Sequence, residues 1–552
     1  LALKSMADAP VAAPNKSPAA SRSVQMRFIF LPSLYNPTKN KPFPMQGKIF
    51  VPILLQNSKH FCQKIFTFLF VVNSTCINGQ MEIHVLCNRK TLGYVSRKNF
   101  GDNMDITKCA ALILAAGKGT RMHSMKPKVM QTILGTPMFS YVDLALQPVF
   151  DDKIFVVAGH GAENIARAFP DIKIVMQKEQ LGTGHALLCA MPELYKYEYV
   201  LVVNGDAPLI TNSVVTDFID RANGCDVAFA SIELDDAGSY GRVVRKNGLV
   251  TGIVEAKDLE TNARENREVN AGIYFLRIKA IEELLPQLGN NNKSGEYYIT
   301  DLVGLGVARG MDVRAIKCGK DENLLGVNSP AELCRIEEIL RRRTVQKFLN
   351  AGVIMHAPDL VRISPLASIE AGAEICGPCE IYGHSEIKSG VFVGSNTVVI
   401  SSKIFENAQI RAFSHLEEAI VCQNAQVGPY TRLRPQAVVG EDAHAGNFVE
   451  LKKTTLGKGA KANHLTYLGD TEIGSNTNIG AGTITCNYDG KHKYKTKIGD
   501  SAFIGSNTSL VAPVNVGDNA LIGAGSVITR NVPENELGIG RARQKNLPKK
   551  IK

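Results

Sequence analysis

Residues 498–528 read IGDSAFIGSNTSLVAPVNVGDNALIGAGSVI, and a six-residue rhythm runs through them. The aliphatic positions are Ile498, Ile504, Leu510, Val516, Ile522 and Ile528. Such a repeat is typical of a parallel β-helix, in which three hexapeptides form one triangular coil and the aliphatic residues stack inside. A generic β-sandwich would show a period of two and irregular turns instead.

The same period extends upstream to about residue 352. An unbroken run comprises Ile363, Ile369, Ile375, Ile381, Ile387, Val393 and Val399, after which the phase resets at Ile404. We predict that residues 352–552 form a left-handed parallel β-helix with a C-terminal tail. The repeat breaks at residues 485–497, which are polar, aromatic and cationic and cannot fill a coil. This stretch is predicted to protrude as a functional loop.

Residues 104–330 alternate between two kinds of segment. Predicted buried strands are 110–114, 154–157, 199–203, 227–230 and 271–275, and helical spacing appears at 213–221 and 281–288. This alternation predicts an α/β, Rossmann-like domain with a mostly parallel sheet and ligands at the carboxyl ends of the strands. Ser329-Pro330 is a helix start signal, and residues 331–351 are predicted to be a helical linker between the two domains.

Charge and composition separate residues 1–103 from the rest. They hold 13 Lys and Arg against 3 Asp and Glu, so they carry almost all of the net charge of +11. The remainder is close to neutral, which argues against nucleic-acid binding. Residues 1–103 lack a sustained helical or strand period, and we expect them to be a disordered or artefactual extension of a working protein that starts near Met104.

The remaining compositional features exclude several classes of protein. Twelve scattered cysteines in 552 residues are too few for a disulfide scaffold. Cys376-Gly-Pro-Cys379 spells a redox motif, but no helical pattern follows it to lower the thiol pKa. The apolar run 65–72 is too short for a membrane span and lies too deep for a signal peptide. We therefore predict a cytoplasmic protein.

The strongest motif of the α/β part is Leu114-Ala-Ala-Gly-Lys-Gly-Thr-Arg-Met122, followed by Lys126-Pro-Lys128. It comes directly after a predicted buried strand. Gly117 and Gly119 let the backbone approach a ligand and direct N–H groups at phosphates. Arg121 and Lys128 add positive charge where pyrophosphate would leave. The spacing is not that of a Walker loop, and a purely structural strand–loop–helix turn is the alternative interpretation.

This motif resembles the signature of sugar-1-phosphate nucleotidyltransferases. Together with the hexapeptide repeats, residues 105–545 resemble the bacterial family of bifunctional N-acetylglucosamine-1-phosphate uridyltransferase/glucosamine-1-phosphate N-acetyltransferases. The resemblance implies Mg²⁺, UTP, N-acetylglucosamine-1-phosphate, glucosamine-1-phosphate and acetyl-CoA as ligands, a homotrimer, and a supply of UDP-N-acetylglucosamine to peptidoglycan synthesis.

The resemblance also implies the residues of the uridyltransferase site. Arg121 and Lys128 are implied as catalytic, and Asp206 and Asn328 as the Mg²⁺ ligands. The implied nucleotide and sugar contacts are Leu114, Ala115, Ala116, Gly117, Lys128, Gln177, Gly182, Thr183, Asn204, Gly205, Asp206, Gly241, Glu255, Asn270 and Asn328. Asn204 departs from the Tyr that is common in relatives. Without the family, a strand-end Asp is more often a turn cap than a metal ligand.

The acetyltransferase residues follow in the same way. His464 resembles the general base that takes a proton from the glucosamine amine, a role for which imidazole is suited near neutral pH. The implied glucosamine-1-phosphate contacts are Arg434, Lys452, Tyr467, Asn478 and Lys493, and the implied acetyl-CoA contacts are Ala481, Asn487, Tyr488, Ser506, Ala524 and Arg541.

Two alternatives stay open from the sequence. In the first, the β-helix is only a scaffold for oligomerisation or regulation of a nucleotidyltransferase. In the second, the chain is a non-catalytic solenoid that binds a partner. The co-occurrence of His464, Arg434, Lys452, Tyr467 and the protruding loop favours two active sites over both alternatives.

Overall fold

The structure is a computed structural model of the chain. It describes the backbone of residues 47–54, 65–77 and 80–87, and residues 104–117, 119–124, 126–159, 161–260, 266–318 and 321–548. The chain separates into two compact units, 1–98 and 99–552.

The first unit contains three described strands, β1 (Gly47–Leu54), β2 (Ile65–Ile77) and β3 (Gln80–Cys87). They form an antiparallel sheet in the order β1-β2-β3, with Gly47 opposite Val72 and Phe70 opposite Cys87. The other residues of the N-terminal extension lie outside the described residues. The expectation of a disordered or artefactual extension stays a prediction.

The second unit begins with an α/β domain. Its strands are β4 (Cys109–Leu114), β5 (Thr132–Ile133), β6 (Thr136–Pro137), β7 (Ile154–Ala158), β8 (Lys173–Met176), β9 (Tyr199–Asn204), β10 (Val227–Glu233), β11 (Arg242–Lys246), β12 (Leu249–Val254), β13 (Glu268–Arg277) and β14 (Val313–Lys317). Its helices are α1 (Met138–Phe150), α2 (Ala162–Ala168), α3 (Thr183–Leu194), α4 (Asn212–Ala222), α5 (Ile278–Leu284) and α6 (Asp301–Ala308).

One nine-stranded sheet organises this domain. The order is β12-β11-β13-β9-β4-β7-β8, and β10 pairs with β13 and β14. The predicted strands and helices are confirmed within a few residues. The sheet is less parallel than predicted, because β13 runs antiparallel to both β9 and β10. Strand β10 ends at the carboxyl edge of the sheet, and the β11–β12 hairpin lies at that edge. Strand β13 therefore starts there and runs in the opposite direction.

Apolar side chains cover both faces of the sheet. Ile113 and Val203 pack into one hydrophobic cluster, while Leu112 and Val202 pack into another on the opposite face. All four side chains are fully buried. Because successive residues of a strand point to opposite faces, a continuous apolar run such as 109–114 indicates a strand that is covered on both sides.

The linker is helix α7 (Pro330–Asn350), and its N-terminus has a capping box. Ser329 accepts a hydrogen bond from the Glu332 N–H at 3.3 Å, and the Glu332 carboxylate accepts one from the Ser329 N–H at 3.0 Å. Two N–H groups that would have no partner in the first turn are satisfied in this way. The structure therefore begins the helix at the predicted start signal.

The C-terminal part is a parallel β-helix, as predicted. Its strands β15 to β42 are, in order, Ile354–His356, Val361–Ile363, Ser368–Ile369, Glu374–Cys376, Cys379–Tyr382, Glu386–Ile387, Phe392–Val393, Thr397–Ile400, Lys403–Ile404, Gln409–Ile410, His415–Glu417, Ile420–Val421, Gln426–Val427, Arg432–Leu433, Val438–Val439, His444–Lys452, Thr455–Leu456, Lys461–Gly469, Thr471–Ile473, Asn478–Ile479, Ile484–Cys486, Thr496–Ile498, Phe503–Ile504, Ser509–Val511, Val514–Val516, Leu521–Ile522, Val527–Ile528 and Leu537–Gly538.

Aliphatic anchors fill the interior of the β-helix. Ile375 lies opposite Val393, which lies opposite Ile410, and all three are fully buried. Burial of one such side chain stabilises the folded state by roughly 1.5–3 kcal/mol. The stacked anchors form one continuous hydrophobic cluster from Val345 of α7 to Val532. Each coil is stable only because its neighbours cover its apolar edges.

The phase reset of the repeat has a conformational cause. Val399 and Ile404 are five residues apart, and the corner between them contains Ser401 with a φ of 46°. The same five-residue spacing recurs in later coils, with φ values of 46° at Glu418, 48° at Lys453 and 50° at Asp470. In these corners the left-handed residue comes two positions after the anchor, whereas in six-residue corners it comes three positions after, as Asn396 with a φ of 56° does after Val393, so the shorter corners turn one residue earlier. The sequence pattern showed the reset but not its regular recurrence.

Candidate active sites

The first site forms where β4, β9 and the start of α7 meet. Strands β4 and β9 are parallel, with Leu114 opposite Asn204, so the glycine-rich turn and Asp206 leave the same edge of the sheet. The Gly205 N–H donates to the Leu114 carbonyl at 3.0 Å. Asn328 joins them because the Val327 N–H donates to the Asp206 carbonyl at 2.9 Å. Residues more than 200 positions apart in the chain therefore share one site.

The Lys128 ammonium bridges the two predicted metal ligands. Its Nζ donates to Asn328 Oδ1 at 2.8 Å and forms an ion pair with the Asp206 carboxylate. Arg121 Nη2 also donates to Asn328 Oδ1, at 3.1 Å. The Asp206 carboxylate oxygen and the Asn328 amide oxygen thus converge on the Lys128 ammonium. Carboxylate and amide oxygens are the ligands that hard divalent cations prefer.

The close approach at this turn requires a glycine. Gly119 has a φ of 60°, and a β-carbon there would lie 2.7 Å from Lys128 Cβ. Any larger residue would push the lysine away from Asp206. Lys118 of the motif lies outside the described residues. Ala115 and Ala116 are buried, and the Ala115 N–H donates to the Val157 carbonyl at 2.8 Å.

The predicted base-recognition residues lie at the neighbouring strand ends. Gln177 is only 2% exposed, and its Nε2 lies 3.0 Å from both the Gly182 carbonyl and His185 Nδ1. The Thr183 hydroxyl accepts a hydrogen bond from the Ile299 N–H at 3.0 Å. These contacts fix the loop 177–183 between the end of β8 and the N-terminus of α3.

The predicted sugar-binding residues form a second group near β12 and β13. The Asn270 N–H donates to the Gly241 carbonyl at 2.9 Å, and Gly241 packs against the Glu255 carboxylate. Glu255 Oε1 accepts a hydrogen bond from the Thr300 hydroxyl at 3.1 Å. Burial, with added repulsion from Asp301, raises the pKa of Glu255 above its usual value of 4.5.

Asn204, the departure from the family pattern, packs against Gly272. Gly272 has a φ of 73°, and a β-carbon there would collide with the Asn204 amide nitrogen. The Gly272 N–H donates to Asn270 Oδ1 at 3.0 Å. Asn204 thus links the end of β9 to the predicted sugar-binding residues.

Sequence reasoning missed several supporting residues of this site. The Tyr240 hydroxyl accepts a hydrogen bond from the Gly326 N–H at 2.9 Å and so joins the predicted sugar-binding residues to the segment that carries Asn328. Burial raises the pKa of Tyr240. Tyr274 contacts Asn270 Nδ2 at 2.6 Å, and Thr300 contacts Glu255. Tyr240 directly precedes the predicted residue Gly241, but no local signal in the sequence reveals its partner.

The second site lies on the β-helix and includes the interrupted coil. The predicted loop is confirmed: it follows β35 and precedes β36, with a backbone bridge between Tyr488 and Lys493. Lys493 brings its ammonium beside that of Lys452, and this repulsion lowers the pKa of Lys452. Arg434 lies near enough to add to this effect. Glu450 lies 2.9 Å from Arg434 and Asp470 lies near Lys452, so three cations face two carboxylates and keep a net positive charge, which suits a phosphate.

Two polar residues complete this cationic group. Tyr467 lies opposite Glu450 on the adjacent coil, and a β-carbon at Gly469 would meet both the Tyr467 hydroxyl and the Asn487 amide. Asn487 Nδ2 donates to Asp470 Oδ2 at 2.6 Å. Asn487 and Tyr488, which were predicted to contact acetyl-CoA, therefore lie with the predicted sugar-phosphate residues in a single chain. Asp470 and Glu450 were not predicted.

His464 and three predicted acetyl-CoA residues form a line along the β-helix. Ala462, Ile479, Ile504 and Ile522 stack in register, and the residues two positions later are His464, Ala481, Ser506 and Ala524. Arg541 lies at the end of this line, with its Cδ 3.9 Å from the position of a β-carbon at Gly525. Asn478 precedes the stacked Ile479 on the same strand and lies opposite Lys461.

A left-handed corner divides the predicted acetyltransferase residues. Leu465, with a φ of 48°, separates His464 from the face that carries Tyr467 and Lys452. His464 is exposed, and it lies opposite Asn447 of the preceding coil. One chain thus presents His464 and the cationic group on different sides of a corner.

The Cys376–Cys379 pair lacks the features of a redox centre. Cys379 points into the β-helix and is 2% exposed, and burial raises its pKa to about 12. Both residues belong to short β-strands, β18 and β19, so no helix N-terminus is available to stabilise a thiolate. Within the described residues, no helix is long and apolar enough to cross a membrane.

The α/β domain and the β-helix match families of transferases. Residues 111–246 match the MobA-like NTP transferase domain, residues 363–456 the GMPPB C-terminal domain, and residues 495–530 the six-repeat bacterial transferase hexapeptide family. The fold and the two groups of polar residues therefore define a nucleotidyltransferase joined to a hexapeptide-repeat acyltransferase.

Curated relatives identify the family. The chain is 57% identical to the bifunctional protein GlmU of Nitratidesulfovibrio vulgaris over 448 residues, which is 80% of this chain and 98% of the relative. It is 53% identical to that of Oleidesulfovibrio alaskensis, covering 80% and 97%, and 47% identical to that of Lawsonia intracellularis, covering 80% and 98%. The chain belongs to the family of bifunctional GlmU proteins.

Membership confirms the predicted activity. The chain is a bifunctional transferase with uridyltransferase and acetyltransferase activities, and it functions in the synthesis of UDP-N-acetylglucosamine, which fits peptidoglycan synthesis. The family implies a divalent metal and acetyl-CoA. The scaffold and binding-module alternatives are not supported.

Proposed function

We propose that residues 104–330 carry uridyl transfer and residues 352–552 carry acetyl transfer. Acetyl-CoA acetylates glucosamine-1-phosphate, and the product then attacks UTP to give UDP-N-acetylglucosamine and pyrophosphate. The observation that carries the first assignment is the convergence of Lys128, Asp206 and Asn328 beside the glycine-rich turn.

In the uridyltransferase site, Asp206 and Asn328 would hold Mg²⁺, which neutralises charge on the phosphates. The sugar phosphate attacks the α-phosphorus in line, so no protein nucleophile is required. Arg121 and Lys128 stabilise the charge that develops on the leaving pyrophosphate. Glu255, Asn270 and the Gly241 backbone hold the sugar, while Gln177 and the loop 182–183 hold the base.

In the acetyltransferase site, His464 takes a proton from the glucosamine amine as the nitrogen attacks the thioester carbonyl. Arg434, Lys452 and Lys493 hold the sugar phosphate with Tyr467 beside them, and Asn478 contributes from the His464 side of the corner. The line formed by Ala481, Ser506 and Ala524 leaves room for the pantetheine arm, because small side chains project little from the coil. Arg541 provides positive charge for the CoA phosphates.

We further propose a cytoplasmic homotrimer with acetyltransferase sites shared between neighbouring chains. An exposed apolar ladder of Phe413, Tyr430, Phe448 and Leu465 runs along one corner of the β-helix. The rings stack at 4.9 and 5.2 Å, yet the four side chains are 47–64% exposed. An apolar stripe of this kind is typical of a surface that another chain covers. It ends beside His464, so a neighbour on this corner could bring the cationic group to the base.

Two variants of the full chain test the assignment. Asp206→Ala is expected to reduce uridyl transfer by about 100-fold or more while acetyl transfer stays normal. His464→Ala is expected to abolish acetyl transfer, measured as thiol release from acetyl-CoA, while uridyl transfer stays normal. If either substitution in a folded protein removed both activities, the assignment of separate sites would be wrong.

A further inference from the structure

Three potential metal ligands lie together at the first coils of the β-helix, outside both groups of site residues described above. His356 ends β15, and Glu374 and Cys376 begin and end β18. The strands are parallel, with His356 opposite Cys376. Ile375 points into the core and is fully buried, so its neighbours Glu374 and Cys376 point outward. The register therefore places all three side chains on one outer face.

The three ligand atoms are close enough for one ion. His356 Nε2 lies 2.9 Å from Glu374 Oε1, and the imidazole nitrogen, the carboxylate oxygen and the thiol sulfur all lie within 4.8 Å of one another. Ligands of a tetrahedral Zn²⁺ lie about 3.5 Å apart, given bonds of roughly 2.0–2.3 Å. Small rotations of exposed side chains are enough to reach this geometry, since His356 and Glu374 are 59% and 42% exposed.

We propose that His356, Glu374 and Cys376 bind one Zn²⁺ ion. Imidazole nitrogen, thiolate sulfur and carboxylate oxygen are the donors that Zn²⁺ takes in proteins, whereas Mg²⁺ prefers oxygen alone. Water supplies the fourth ligand. On binding, the Cys376 thiol releases its proton to solvent, and the His356 proton moves to Nδ1 so that Nε2 can face the metal.

The geometry also gives the Cys376-Gly-Pro-Cys379 motif a different role. Cys379 belongs to the hydrophobic core, so the two sulfurs do not serve one ligand. Cys376 lies on the outer face of the β-helix. There His356 is its partner on the adjacent strand, and Glu374 lies two residues before it on the same strand. Within the motif, Cys379 is therefore a core residue and Cys376 is the proposed metal ligand.

Binding of the metal would connect two successive coils of the β-helix. β15 is the end strand of the 19-stranded sheet, and it pairs with β16 and β18. End strands have fewer partners and open most readily. A metal that joins β15 to β18 would hold the first coil closed, directly after helix α7.

Cobalt provides the first test, because Co²⁺ occupies Zn²⁺ sites and reports thiolate ligation by a charge-transfer band in the near ultraviolet. The full chain, stripped of metal with a chelator, is titrated with Co²⁺. We expect one thiolate-bound Co²⁺ per chain, displaced by Zn²⁺. Oxygen ligands at Asp206 and Asn328 would not produce this band.

Variants then locate the site. The band is expected to disappear in Cys376→Ser and to weaken in His356→Gln. It is expected to persist in Cys422→Ser, a matched control because Cys422 is a half-buried thiol on the same β-helix. Absence of the band in the wild-type chain, or its persistence in Cys376→Ser, would overturn the proposal.

A second measurement does not require any variant to fold. Alkylation of single cysteines by iodoacetamide is followed by peptide mass spectrometry with and without Zn²⁺. Zn²⁺ is expected to slow alkylation of Cys376 by about tenfold or more, because a metal-bound thiolate is withdrawn from reaction. Exposed Cys334 on α7 is expected to react at the same rate in both conditions. Equal rates at Cys376 would contradict zinc binding.

Discussion

Glu255 is a carboxylate that the fold buries beside the proposed sugar-binding residues. Its carboxylate accepts a hydrogen bond from the Thr300 hydroxyl, and Asp301 and Asp258 add negative charge nearby. The raised pKa means that the folded chain binds this proton more tightly than the unfolded chain does. Glu255 therefore contributes stability below the unfolded pKa near 4.5, and that contribution is lost as the pH rises through the folded-state pKa.

The first prediction concerns Glu255→Gln. At pH 7 the variant is expected to melt at a higher temperature than the wild type, because a buried charge has been replaced by a neutral amide. The difference is expected to shrink toward pH 4.5, where the wild-type carboxyl is also neutral. Uridyl transfer is expected to fall by about tenfold or more, since the carboxylate no longer binds the sugar.

Thermal melts at both pH values and a pyrophosphate-release assay test this prediction. Glu282→Gln, an exposed residue of α5, is the control and is expected to change neither quantity. A Glu255→Gln variant that is less stable than the wild type at pH 7 would show that the charged form is better solvated than its burial indicates.

Among the elements, helix α7 does more than connect two domains. The carboxylate of Glu332 accepts hydrogen bonds from the backbone N–H groups of Asn328 and Ser329. Asn328 is a proposed metal ligand, so the capping box at the start of the helix also fixes the backbone of the site. Glu332 is therefore a positioning residue that acts through Asn328.

The second prediction is that Glu332→Ala raises the Mg²⁺ concentration needed for half-maximal uridyl transfer by about tenfold, which corresponds to about 1.4 kcal/mol. Loss of the cap is expected to cost about 1 kcal/mol of stability as well. Glu332→Gln keeps two acceptor lone pairs and is expected to restore most of the metal affinity.

Activity as a function of Mg²⁺ distinguishes positioning from simple destabilisation. Gln346→Ala, at an exposed position of the same helix, is the control. If Glu332→Ala lost stability but kept the wild-type Mg²⁺ dependence, the capping box would be purely structural.

At the scale of the whole molecule, the apolar ladder of Phe413, Tyr430, Phe448 and Leu465 lies on the same corner of the β-helix as His464. The ladder residues have φ values of 48–62°, a conformation that costs energy for bulky side chains. Aspartate adopts this conformation more readily than phenylalanine does. Substitution of a ladder residue by Asp therefore introduces charge without adding backbone strain.

The third prediction is that Phe448→Asp yields a monomer that retains uridyl transfer and loses acetyl transfer. A buried charge would oppose association, and the shared site would not assemble. Sedimentation velocity and both half-reaction assays measure the outcome. Leu249→Asp, on the exposed β11–β12 hairpin, is the control and is expected to leave assembly unchanged. A trimeric Phe448→Asp chain would place the interface elsewhere.

Much of the fold can be predicted from the sequence because local periodicity determines it. Anchors such as Ile498 and Ile504 repeat at the spacing of one β-helix side, and Ser329-Pro330 marks the start of α7 within a few residues of chain. Asp206, Lys128 and His464 were predicted through motifs that resemble a family. The antiparallel course of β13 was not predicted, because strand direction depends on where the chain returns to the sheet and not on the residues of the strand.

The sequence alone determined the six-residue anchors, the glycine-rich turn and the interrupted coil, since each is a property of neighbouring residues. Only the tertiary structure decided which distant groups meet: Lys128 with Asn328, Lys452 with Lys493, and His356 with Glu374 and Cys376. Chain topology sets these contacts, because strand register and the left-handed corners determine which side chains share a face. A periodic pattern specifies the β-helix coil but not which functional side chains meet at its corners.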